Sequence, residues 1–67
     1  MIEILLNGKS ESLAEGMTIA ELMRQKLPGV NRAALELNLE IVPRSQYERR
    51  LLKSGDRVEI VRAIGGG

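Results

Sequence analysis

Residues 54–67 read Ser54-Gly55-Asp56-Arg57-Val58-Glu59-Ile60-Val61-Arg62-Ala63-Ile64-Gly65-Gly66-Gly67. Ser54-Gly55-Asp56 is a turn signal. From Arg57 to Ala63 the residues alternate, with Val58 and Ile60 on one face and Glu59 and Val61 on the other, a period of two that predicts a strand. That strand runs straight into Ile64 and three glycines. Glycine has no side chain to pack and loses the most backbone freedom on ordering, so the final residues add nothing to a core. Residues 64–67 are expected to form a flexible tail. Three extended residues reach roughly 10 Å, enough to thread a narrow channel in another protein. Chain ends also fray without purpose. Placement directly after an apolar strand favours a functional arm.

The remaining composition narrows what such an arm serves. With 67 residues the chain makes one domain, of a size that buries only about 60% of its unfolded surface. It has one Tyr and no Phe or Trp, so the core must be aliphatic. The apolar content and a formal net charge of +1 suit a globular domain. Cysteine is absent, which excludes disulfides, thiolate metal sites and a cysteine nucleophile. Histidine is absent too, removing the commonest general base and metal ligand. Stand-alone enzyme chemistry and a metal site are not expected.

The N-terminus alternates and carries Glu3, without the basic start and apolar run of a secretory signal. No stretch has the length to span a bilayer. A cytoplasmic location is expected, with no membrane partner. Basic residues gather late, at Arg44, Arg49, Arg50, Lys53, Arg57 and Arg62, against Glu48, Asp56 and Glu59. This asymmetry marks either a docking face or an ordinary solvated surface. No aromatics interleave with the basic residues, so nucleic-acid binding is not expected.

Working back from the tail, the other elements follow. Ile2, Ile4 and Leu6 alternate with Glu3 and Leu5, a first strand. Asn7-Gly8 is the strongest short hairpin signal, because a type I′ turn needs positive φ at both central residues. Lys9 to Leu13 returns as a more polar second strand, ended by Glu15-Gly16. Thr18-Ile19-Ala20-Glu21 is a capping box. It opens a helix to about Lys26, with Ile19, Leu22, Met23 and Leu27 at helical spacing. Met17 and Met23 are core residues. Leu27-Pro28-Gly29 stops the helix, since proline pushes its predecessor out of the α region. Ala33 to Leu37 is a third strand. Asn38-Leu39-Glu40 turns into Ile41-Val42-Pro43, a short or edge strand because Pro43 has no N–H to donate. Ser45-Gln46-Tyr47-Glu48 repeats the capping-box pattern and is expected to begin one helical turn. Leu51 and Leu52 anchor that segment to the core.

This order gives an α+β roll, a mixed sheet of four to five strands with one main helix packed on one face. The first and last strands are expected to lie parallel at the sheet centre. The isolated protein is expected to be a monomer, since the sequence suggests no exposed apolar stripe beyond Leu5, Leu39 and Val61.

Three features resemble the ubiquitin-like, β-grasp sulfur carriers, and most of all the ThiS family of thiamine biosynthesis. They are Asn7-Gly8 in the first hairpin, Ile41-Val42-Pro43-Arg44 followed by Tyr47, and Ser54-Gly55-Asp56-Arg57-Val58-Glu59-Ile60 running into the Gly-Gly end. The Gly-Asp strand and Gly-Gly tail also resemble the molybdopterin-synthase small subunit, whereas the Val-Pro-Arg segment points to the thiamine branch. Leu39 departs from the pattern, which usually has glycine in that turn. The resemblance covers the whole chain.

The resemblance implies a mechanism. A ubiquitin-activating-type adenylyltransferase, ThiF-like, adenylates the Gly67 carboxylate with ATP and magnesium, making AMP the leaving group. Persulfide sulfur from a cysteine desulfurase replaces AMP and leaves a thiocarboxylate on Gly67. The thiocarboxylate then gives sulfur to a sugar-derived intermediate on a ThiG-like thiazole synthase. Gly67 is thus the modified residue, and Gly65 and Gly66 thread partner sites. Val61, Ile64 and Arg62 are candidates for partner docking, and Arg57 and Arg44 stand as either contacts or solvated charges. The carrier itself binds no cofactor and acts as a co-substrate. Other readings are a molybdopterin-branch carrier, a ubiquitin-like modifier joined to lysine through Gly67, and an interaction module with an inert tail.

Overall fold

The computed structural model describes residues 1–29 and 33–62, with the backbone alone at Arg62. The strands β1 (Ile2–Leu6) and β2 (Lys9–Leu13) form an antiparallel hairpin, with Ile2 opposite Leu13 and Leu6 opposite Lys9. Asn7 (φ 50°) and Gly8 (φ 84°) both have positive φ, as the type I′ turn requires.

The helix α1 (Ile19–Lys26) begins at Thr18 in a complete capping box. The Thr18 hydroxyl accepts from the Glu21 N–H at 3.1 Å, and Glu21 Oε1 accepts from the Thr18 N–H at 2.9 Å. A new helix leaves its first N–H groups without helical partners. Two of those here are satisfied from afar: Ile19 N–H donates to the Arg50 carbonyl at 3.0 Å and Ala20 N–H to the Tyr47 carbonyl at 2.9 Å. The 47–50 segment therefore serves as a cap for α1. At the other end Leu27 leaves the α region (φ −135°) ahead of Pro28.

β3 (Ala33–Leu37), β4 (Glu40–Ile41) and β5 (Arg57–Arg62) complete one sheet of order β2-β1-β5-β3-β4. β5 is the central strand. It runs parallel to β1, pairing Leu5 with Arg57 and Leu6 with Val58, and antiparallel to β3 from Leu37–Val58 to Ala33–Arg62. This is the mixed five-stranded roll expected, and β4 stops before Pro43 at the sheet edge. Ile4, Leu35, Leu37 and Val58 on one sheet face meet Ile19 and Leu22 of α1 in an aliphatic core. Met17, Met23 and Tyr47 pack against its margin. At about 25 cal/mol per Å² of apolar area removed from water, this contact is the main source of stability. Among the described residues no helix is long and apolar enough to cross a membrane.

Three details differ from the sequence reading. The turn expected from Ser45 is a 3₁₀ segment, Arg44–Gln46, that starts from Pro43 and has no side-chain cap. Pro43, at φ −65°, is already set for a turn, and its carbonyl accepts from the Gln46 N–H. Of the two leucines, only Leu52 is buried, whereas Leu51 is 50% exposed and engages through a backbone bridge to Thr18. Met1, Ile41 and Leu51 join Leu5, Leu39 and Val61 as exposed large apolar residues.

Candidate functional site

Ile64, Gly65, Gly66 and Gly67, together with Ala63, lie outside the described residues. What the structure places is their root. β5 delivers the chain from the middle of the sheet, held on one side by β1 and on the other by β3. Val61 and Arg62, the last residues of β5, pair with Ala34 and Ala33.

Alternation divides the β5 side chains. Val58 is fully buried and Ile60 packs against the core, so Glu59 and Val61 face away from α1. Register then assembles the outer face: Glu36 lies opposite both Glu59 and Ile41, and Ala34 lies opposite Val61. Leu5, beside Arg57, joins them from β1. Val61 is 59% exposed and Ile41 72%. The predicted docking residue Val61 thus sits on a sheet face that combines exposed aliphatic groups with two facing carboxylates. Like charges opposed across a ladder are unfavourable, so a cation brought to this face would relieve Glu36 and Glu59. Ile41 was read as part of a short edge strand and not as a docking residue; its exposure follows from pairing with Glu36 while its neighbour Val42 turns inward.

Of the basic residues, Arg57 shares this outer face, paired with Leu5 and two residues from Glu59 on β5. Arg44, Arg49, Arg50, Lys53 and Arg57 are all exposed. Arg24 reaches Glu48 at 3.2 Å and Lys26 reaches Glu11 at 2.9 Å; such surface pairs are worth about 0–1 kcal/mol each. Among the described residues no three carboxylates gather to hold a metal ion.

Two asparagines grip β5 from its two sides. Asn38 Oδ1 accepts from the Arg57 N–H at 2.9 Å, where the strand begins. Asn7 Oδ1 accepts from the Ile60 N–H at 2.8 Å, near where it ends. Both residues have positive φ in tight turns. The sequence marked them as turn formers, and their second role is hidden by the long separation along the chain.

Comparison with known proteins places this geometry. The ThiS family profile matches residues 4–67. The sulfur carrier protein ThiS of Escherichia coli (strain K12) is 35% identical over 66 residues, covering 98% of this chain and 100% of the relative. A thiazole synthase of Paramagnetospirillum magneticum is 36% identical over 66 residues, and the chain spans 20% of that relative's length. The crystal structure of the thiamine biosynthesis protein ThiS from Geobacter metallireducens superimposes with a TM-score of 0.83 at 30% identity, covering 98% of this chain and 100% of that one.

Proposed function

The chain belongs to the ThiS family, and from that premise we propose that it carries sulfur for assembly of the thiamine thiazole. The observation that carries the reading is the position of β5. A central strand, paired with β1 as far as Val58 and with β3 to its last residue, ends at Arg62, five residues before the carboxylate of Gly67. The root of the tail is rigid, and residues 64–67 contain no bulky side chain beyond Ile64. A reactive end on a stiff base suits delivery into successive partner sites.

In this reading the carrier is a co-substrate. A carboxylate resists substitution because its charge is delocalised and its oxygen leaves badly. An adenylating partner using ATP and magnesium converts the Gly67 carboxylate to an acyl adenylate. The terminal sulfur of a desulfurase-derived persulfide attacks the acyl carbon and expels AMP. A thiol then reduces the S–S bond of the resulting acyl disulfide, becoming a disulfide itself and releasing the thiocarboxylate. The resulting thiocarboxylate is anionic at neutral pH and nucleophilic, and it reacts on a thiazole synthase. Similarity to 20% of the length of two relatives named thiazole synthase supports that last partner. Gly65 and Gly66 thread the partner channels. Val61, Ile64 and Arg62 dock against the partner, with Leu5 and Ile41 extending the apolar surface. Arg62→Ala, compared with wild type across a salt titration, separates a charged contact from a solvated charge.

The deciding experiment is intact mass after incubation with ATP, magnesium, the adenylating partner, a cysteine desulfurase and cysteine. One oxygen replaced by sulfur, localised to Gly67, is expected. Unchanged mass, while the same partner adenylates a control carrier, overturns the reading.

A further inference from the structure

We infer that Asn7 is a positioning residue for the C-terminal arm, fixing the direction in which β5 releases it toward the adenylating partner. The inference rests on the carrier reading for its consequence, and on geometry alone for the clamp.

Along β5, alternate residues turn their main-chain groups toward β1. Asp56 O accepts from the Leu5 N–H and Val58 O from the Asn7 N–H, each at 2.9 Å. The next residue on that side is Ile60, and here β1 has run out. The last β1–β5 pair in register is Leu6–Val58, and Asn7 has turned away with φ 50°. Its side-chain amide takes the place of the missing peptide. Oδ1 accepts from the Ile60 N–H at 2.8 Å, and Nδ2 donates to the Ile60 carbonyl at 3.5 Å. Ile60 requires an acceptor at the short contact, which fixes which way the amide points. The ladder is extended by one rung, seven residues before Gly67. Beyond it, β5 keeps only the pairs of Val61 and Arg62 with β3.

The turn alone does not demand asparagine. Asn-Gly, Asp-Gly and Gly-Gly all supply the positive φ that a type I′ hairpin needs. Asparagine alone among them carries both an acceptor and a donor for a neighbouring peptide. Glycine keeps the turn and removes the clamp. Aspartate keeps the acceptor but places a second oxygen against the Ile60 carbonyl. A hydrogen bond of this kind contributes little to overall stability yet decides a local geometry, and small misplacements of a reacting group are costly.

The test compares wild type, Asn7→Gly, Asn7→Asp and a destabilised control, Thr18→Ala, whose lesion lies at the α1 cap. Amide hydrogen exchange at Ile60 and backbone relaxation at Val61 and Arg62 are measured on the isolated full chain. Adenylation of the carrier by its activating partner gives KM and kcat. Asn7→Gly should speed Ile60 exchange and raise the carrier KM, each by roughly three- to tenfold on the scale of one lost hydrogen bond, with kcat within about twofold. Asn7→Asp should fall between, and Thr18→Ala should leave both Ile60 exchange relative to global unfolding and KM unchanged. Unaltered Ile60 exchange in Asn7→Gly overturns the clamp. Faster exchange with wild-type KM, or an equal KM rise in Thr18→Ala, overturns the positioning role. Wild-type protein that is never adenylated sinks the carrier reading instead, while the exchange arm still decides the clamp.

Discussion

Asn38 and Asp56 are joined side chain to side chain, with Asn38 Nδ2 donating to Asp56 Oδ1 at 3.1 Å. The other Asp56 oxygen accepts from the Lys53 N–H at 2.7 Å, closing the Lys53–Asp56 turn from within. Asn38 meanwhile exchanges bonds with the Arg57 backbone, its N–H reaching the Arg57 carbonyl at 2.7 Å. One carboxylate thus ties the β3–β4 turn to the loop entering the central strand. This gives the Ser54-Gly55-Asp56 motif a physical reason: the aspartate sets where β5 starts.

Asp56→Ala removes both acceptors at once. The partially exposed site lets water recover some of the loss, so a cost of about 1–2 kcal/mol is expected. A lowered urea midpoint with unchanged slope would report it. Loss within about 0.3 kcal/mol would mean the two turns hold without their link.

Leu39 occupies a position made for glycine. Its φ is 73°, directly after Asn38 at 53°, and its side chain is 72% exposed. The left-handed region costs an ordinary residue about 1–2 kcal/mol, partly offset by the greater freedom that glycine loses on folding. Leu39→Gly is therefore expected to stabilise the protein by roughly 0.5–1 kcal/mol, read as a higher unfolding midpoint. A destabilised variant would show that the leucine has packing value at this turn.

Thr18 sets a pH dependence. Its backbone N–H, first, and its hydroxyl hold the Glu21 carboxyl below its ordinary value of 4.5, and Arg24 acts in the same direction. A carboxyl whose folded value is depressed stabilises the fold above the unfolded value. That contribution fades as pH falls from about 4.5 through the lowered folded value. Thr18→Ala should cost about 1 kcal/mol at neutral pH and lessen the stability loss in that acid window only by the hydroxyl's share, because the backbone N–H, the larger cause, remains. Unfolding midpoints from pH 7 to pH 3 check both parts.

Gly66→Val tests the tail without touching the described fold. Unfolding should match wild type within about 0.5 kcal/mol, as for a surface change. Adenylation should be abolished, because a branched side chain widens the segment that threads the partner. A normal adenylation rate would remove threading as the reason for the glycines.

Much of this protein is legible in its residues. Periods of two at Ile2–Leu6 and Arg57–Arg62, the Thr18–Glu21 box and the break at Pro28 are local signals, and each specifies its element through forces that act within a few residues. The absence of cysteine and histidine argued against stand-alone enzyme chemistry, whereas the carrier reading came from the resemblance of particular segments to the ThiS family. Other features arise only when distant segments meet. Ser45 looked like a cap, yet the turn starts from Pro43, whose φ of −65° is set for it. Only the tertiary structure brings the Tyr47 and Arg50 carbonyls to the unpartnered N–H groups of α1. Ile41 faces outward through its register with Glu36. Asn7 and Asn38 read as turn residues, and only the sheet brings their side chains to Ile60 and Arg57. Periodicity and capping are written in neighbouring residues; register and long-range hydrogen bonds depend on which strands lie side by side, which is decided when the aliphatic core closes.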